Sequence, residues 1–332
     1  MPVREAEQKD TGLPIFPWGL MALVTVPLGI LGLFTYVWIW PPILVGDADY
    51  YAAAIPALVS DAPLFDPAYF APHILPPPPF WDQAPSAAPF AAILLLPDGK
   101  IVWGVLMAVC VALALTALLP RVGPGGIVLL APVMTLLPPV IDAMVWGNLT
   151  AVVFLMLAVA WRWPRHAGWA IGIATAAKLM PVLAVAWLIG RRDWRGVWIA
   201  LAIPAALTAL TMLLAGPSVV TDFLIVRLNQ MPTPGVARWG LADIGVPEVV
   251  TWGIALLIAF VAMRRVSFSL SVVAILVAAP ALHLHYLVIG LVPLFGVWIP
   301  WIIQNLRHRA LAKLRADSGP SGHTSGASAH LD

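Results

Sequence analysis

The chain has 332 residues, of which 61% are hydrophobic and 10% charged, with a formal net charge of +2. An ordinary soluble domain carries about 25% charge, and the mean hydropathy of +0.93 argues against a large soluble helical protein, because lipid solvates such a surface and water does not. The small net charge sums regions of opposite sign, so where the charges fall says more than their total.

A membrane span needs about 20 apolar residues. Runs of this kind predict spans at 17–40, 101–119, 127–145, 149–161, 197–216, 249–263, 266–281 and 286–303. No small-residue cleavage site follows the first run, which favours a retained span over a signal peptide. Cys110 is the one cysteine, so no disulfide or cysteine-based metal site can form within one chain. Two segments fit the pattern poorly. The stretch 85–97 is short and flanked by prolines, which suits a re-entrant or partial span. The stretch 166–190 carries Lys178 in its middle, with Pro181 close behind.

Charge decides the second case. Arg162 and Arg165 precede 166–190, and Arg191, Arg192 and Arg195 follow it. A single crossing would put the second cluster outside, and with it Arg264, Arg265 and the basic tail, against the positive-inside rule. A short hairpin turning near Lys178 puts every cluster inside. All of the 18 Lys and Arg residues except Lys100, Lys178, Arg227 and Arg238 are then cytoplasmic. The expected organisation is a cytoplasmic N-terminus over 1–16, a transmembrane domain over 17–305 and a cytoplasmic tail over 306–332. That tail is basic at first, then Ser/Gly-rich and disordered in character. The outer side receives the loops 46–99 and 217–248 and the turns near Trp146 and His283.

The first outer loop is acidic and aromatic. Asp47 and Asp49 stand two residues apart at its start, where mutual repulsion favours a raised pKa for one of them and suits a general base. The plainer reading is a solvated pair that caps a helix over 50–59, and the residues alone leave both open. Lys178 within a run of apolar residues calls for a buried partner or a polar cavity, unless it snorkels to the interface. At His283-Leu284-His285, a metal site would need a third ligand that the sequence does not specify; hydrogen bonding to a polar substrate is the reading taken. Asn148, Arg227 and Arg238 add polar and cationic groups to the same side. Asn148-Leu149-Thr150 also matches a glycosylation sequon, read as coincidence because it abuts a span.

The order of motifs carries a resemblance. D-x-x-x-Y (Asp47 to Tyr51) is followed by L-F-D-P (64–67), P-F-A-A-I-L-L-L-P (89–97) and G-N (Gly147, Asn148). Then come A-G-W-A-I-G-I-A-T-A-A-K-L-M-P (167–181), R-R-D-W-R (191–195) and P-A-L-H-L-H-Y (280–286). Over 17–303 the chain resembles the GT-C glycosyltransferases of the family 87 type, the mannosyltransferase-like membrane proteins of bacteria. Its Asn148 stands where family members usually have Gln, and Ala88-Pro89-Phe90 replaces a Tyr-Pro-Pro element.

The resemblance implies an all-α polytopic fold, a GT-C-like bundle of about 9–11 transmembrane helices with a structured extracytoplasmic first loop. It implies a plasma or inner membrane enzyme that moves a hexose, mannose first among them, from a polyprenyl-phosphate donor to a lipid or cell-envelope glycan acceptor. Transfer would be extracytoplasmic and inverting. Asp47, with Asp49 as fallback, would deprotonate the acceptor. Lys178, Arg227, Arg238 and His285 would face the leaving phosphate, while Tyr51, Trp81, Asn148 and His283 would contact the sugar. The reading calls for no cofactor, no metal and no nucleic-acid partner. The competing reading is a transporter or lipid flippase. It would carry an inverted internal repeat, and the Lys178–Pro181 interruption has no counterpart elsewhere in the sequence. A catalytically inactive scaffold is the third reading.

Overall fold

The computed structural model describes residues 48, 51–52, 54–60, 64, 83–118, 137–145, 147–229, 246–279, 286–294, 305–306 and 308–312. The expected first span at 17–40 lies outside them, as do 127–136 and 295–303 of two later expected spans. Among the described residues every regular element is helical. A 3₁₀ turn at Ile55–Val59 and a short helical run at Pro85–Leu95 precede ten helices. These are α1 (Gly99–Leu118), α2 (Pro138–Val145), α3 (Thr150–Arg162), α4 (Ala167–Ala177) and α5 (Val185–Gly190). They continue with α6 (Trp194–Ala215), α7 (Val219–Asn229), α8 (Glu248–Arg265), α9 (Phe268–Ala278) and α10 (Leu287–Pro293).

Helices α1 and α6, of 20 and 22 residues, are long and apolar enough to cross a membrane; at about 1.5 Å per residue each reaches roughly 30 Å. α6 exposes Trp198, Leu201, Leu210, Leu213 and Leu214, with Leu213 84% exposed. A continuous apolar face of this kind suits lipid as its solvent. The run Pro85–Leu95 is too short to cross. It bends back at Pro97–Asp98 into α1, so closely that a Cβ on Gly99 would lie 2.5 Å from the Ile93 carbonyl oxygen. Helix α7 occupies the start of the stretch expected to be an outer loop; its Thr221, Asp222 and Arg227 broke the apolar pattern that marks the other helices.

Three helix–helix turns carry the arginines, and two close backbone approaches gather them. The Asp193 side chain accepts the Gly196 N–H at 2.9 Å and caps α6. One residue earlier, Arg192 takes a left-handed conformation at φ 61°, and the Asp193 N–H reaches back to Leu188 O. The α8–α9 turn repeats this geometry with Val266 at φ 51° and the Ser267 N–H on Ala262 O, the six-to-one bond of a Schellman helix end. A Cβ on Gly168, at the start of α4, would lie 2.6 Å from the Gly196 Cα at the start of α6. Four residues on, Gly172 faces Ala200 and Ile203, so α4 and α6 run parallel. The chain between them therefore leaves one level and returns to it: 166–190 doubles back at Lys178. Gly190 in turn abuts the backbone of Met263. Arg162, Arg165, Arg191, Arg192, Arg195, Arg264 and Arg265 thus share one end of the bundle.

Candidate functional site

The opposite end collects the polar groups. Helix α3 leaves it at Thr150, and α4 arrives at Ala177 after the turn at Pro164–His166. Helix α4 stops there for a local reason. Pro181 offers no N–H to the Ala177 carbonyl, and Lys178 leaves the helix in an extended conformation at φ −148° and ψ 138°.

Lys178 is 3% exposed. Its Nζ donates to the Tyr286 hydroxyl oxygen at 2.8 Å, with the ring centroid 4.1 Å away. The buried partner expected for this lysine is therefore Tyr286, at the N-cap of α10, and snorkelling is excluded. An ammonium has three donors, and no carboxylate among the described residues pairs with it. Among the described residues this buried cation has one neutral oxygen partner, an arrangement that can accommodate an anion.

At the same end of the bundle stands a second polar group. Gly147 turns at φ 60°, which glycine adopts without cost, and its carbonyl accepts the Trp103 Nε1–H at 2.6 Å. Trp103 lies in the second turn of α1, fully buried, and Tyr51 packs on it edge to face with ring centroids 6.4 Å apart. The Asn148 Oδ1 accepts both the backbone N–H and the hydroxyl of Thr150, at 2.9 and 2.6 Å, an Asx turn that starts α3. Asn148 is buried, so the sequon it begins is closed to a glycan.

Of the residues expected at the site, Tyr51, Asn148 and Lys178 lie at this end. Asp47, Asp49, Trp81, Arg238, His283 and His285 fall outside the described residues; for Arg227 only its place on α7 is described. Ala48, which lies between Asp47 and Asp49 in the sequence, is helical, as are Tyr51 and Ala52. Tyr286, Trp103 and Ser86 were missed. Tyr286 closed the P-A-L-H-L-H-Y motif, and its hydroxyl at a span boundary was the available signal. Ser86 falls in the stretch expected to be a re-entrant or partial span; it is 3% exposed, and its hydroxyl donates to the Ala176 carbonyl at 2.9 Å.

The sequence model of glycosyltransferase family 87 matches residues 78–316, more than two thirds of the 332 residues. The chain belongs to glycosyltransferase family 87. No curated protein and no solved structure matches it. As a family 87 member it is a glycosyltransferase, with a sugar donor and an acceptor as its substrates, and its apolar helices mark it as a membrane protein. The matched region includes Ser86, Trp103, Asn148, Lys178 and Tyr286, whereas Asp47, Asp49 and Tyr51 precede it.

Proposed function

We propose that this glycosyltransferase takes a hexose, mannose first among them, from a polyprenyl-phosphate donor and passes it to a lipid or cell-envelope glycan acceptor on the extracytoplasmic side. The observation that carries the reading is the buried Lys178 ammonium, paired with the neutral Tyr286 hydroxyl and lacking a described carboxylate. A lipid phosphate supplies the missing charge. Unlike a nucleotide sugar, it is delivered from within the bilayer, where this lysine resides. The arginine turns at the far end of the bundle support the sidedness, since basic turns stay cytoplasmic.

In the reaction, Asp47 removes the proton of an acceptor hydroxyl as that oxygen attacks the anomeric carbon. The bond from the anomeric carbon to the phosphate oxygen breaks on the opposite face, so the configuration inverts. The polyprenyl phosphate leaves as an anion, with its growing charge against Lys178. Asp49 raises the proton affinity of Asp47, and Arg227, Arg238 and His285 extend the cationic side. Tyr51, Trp81, Asn148 and His283 line the sugar side. The test is a transfer assay in membranes or proteoliposomes with labelled polyprenyl-phosphate hexoses. Wild type should transfer label, Asp47→Ala should abolish transfer, and Lys178→Met should weaken donor use while the protein stays folded. Transfer from nucleotide sugars alone would overturn the donor assignment.

A further inference from the structure

The run Pro85–Leu95 takes no part in the chemistry above, yet one hydroxyl ties it to the end of α4 and another to α6. In an uninterrupted helix the Ala176 carbonyl would accept the N–H of Met180. The extended Lys178 removes that donor. The Ser86 hydroxyl takes its place, donating to Ala176 O at 2.9 Å across 90 residues of chain. Ser86 is held from behind in turn. The Thr211 hydroxyl of α6 donates to the Pro85 carbonyl at 2.7 Å and shares its proton with Leu207 O at 3.0 Å. Both hydroxyl residues are buried.

We infer that Ser86 is a positioning residue for Lys178, with Thr211 as its anchor on α6. The inference rests on the reading that Lys178 meets the donor phosphate. A charge on a flexible four-carbon stem is only as well placed as the backbone beneath it. Ser86 fixes that backbone two residues before the lysine, at the carbonyl the helix break leaves unpaired. Without the hydroxyl, Ala176 O is an orphaned acceptor in an apolar interior. Relief of that acceptor requires the backbone at 176–180 to shift, which turns the Lys178 ammonium from Tyr286. The Pro85–Leu95 run thus sets the direction in which the lysine leaves α4.

The probe is a polyprenyl phosphate without sugar, titrated against the full-length protein in detergent micelles and followed by tryptophan fluorescence. Ser86→Ala should weaken binding about tenfold, the worth of one good hydrogen bond. Ser86→Thr, which keeps the hydroxyl, should bind like wild type, and Thr211→Val should shift binding in the same direction as Ser86→Ala. The deciding measurement is a double-mutant cycle. In a Lys178→Met background Ser86→Ala should cost nothing further, because the group it positions is gone. An equal loss in both backgrounds overturns the inference and leaves the role of Lys178 standing. Wild-type binding by Lys178→Met removes the underlying reading instead, and the inference with it. Should Ser86→Ala fail to fold, the near-isosteric Ser86→Cys, a weaker donor, carries the same cycle with an expected loss of about threefold.

Discussion

The Nζ of Lys178 and the hydroxyl of Tyr286 meet at 2.8 Å across 108 residues of chain. The lysine sits where α4 breaks and the tyrosine where α10 begins, so the contact joins two helix ends. Its energetics are asymmetric. Removing the phenol oxygen strands a buried cation, whereas removing the cation leaves only a neutral hydroxyl. Tyr286→Phe should therefore destabilise the protein by about 1–3 kcal/mol, and Lys178→Met should cost less. The double variant should be more stable than Tyr286→Phe alone. Thermal unfolding in detergent checks the order. A double variant less stable than both singles would mean that the pair is not the stressed element.

The base assignment makes a kinetic prediction. Asp47 and Tyr51 are four residues apart, a spacing that would place them on one face of a helix starting there. General-base removal costs roughly 10² to 10⁴ in rate, so Asp47→Asn should lose about that much turnover at saturating donor while donor binding persists. Asp49→Asn should lose far less. It should also move the acid limb of the pH–rate profile to lower pH, because a neighbouring negative charge that held the proton on Asp47 has gone. The reverse order of the two variants would move the base to Asp49.

Trp103 offers a test of the glycine turn. Its indole N–H donates to the Gly147 carbonyl at 2.6 Å. Trp103→Phe keeps most of the ring packing against Tyr51 but removes that donor. The expected loss is about 1–3 kcal/mol of stability, seen as a lower unfolding temperature. Unchanged stability would mean that the Gly147 carbonyl finds another donor.

Sidedness can be read by labelling in intact cells, in a background with Cys110 replaced by Ala. Cysteine at Pro97, in the exposed turn before α1, should react with an impermeant thiol reagent. Cysteine at Arg265 or Ser318 should react only after the membrane is opened. The opposite pattern reverses the orientation and with it the extracytoplasmic site.

Much of this arrangement was legible in the sequence because it follows from local chemistry. Pro181 breaks the helix at Lys178 through its missing N–H, and clustered arginines identify turns at one end without reference to any distant residue. Burial of Lys178 likewise followed from the apolar residues around it. Its partner did not. No periodicity links position 178 to 286, and a tyrosine beside two histidines draws less attention than they do. Ser86 was overlooked for a related reason. A serine among prolines and alanines at the start of a partial span gives no distinct signal, and only the proximity of a broken helix end explains what its hydroxyl does. Helix α7 was overlooked because polar residues interrupt the hydrophobic pattern on which the other helices were recognised.

The glycines at the arginine-bearing end limit how the bundle can move. At Gly168 and Gly196, and again at Gly190 and Met263, main chain lies against main chain, so no side chain there can swing aside to make a gap. A bundle clamped in this way behaves like a clothes peg held at its spring. The polyprenyl donor proposed above would enter more easily at the opposite end, away from these backbone contacts. Enlarging Gly168 to Val should therefore loosen the spring itself, and its effects should reach the lysine end although the substitution lies a full helix length away.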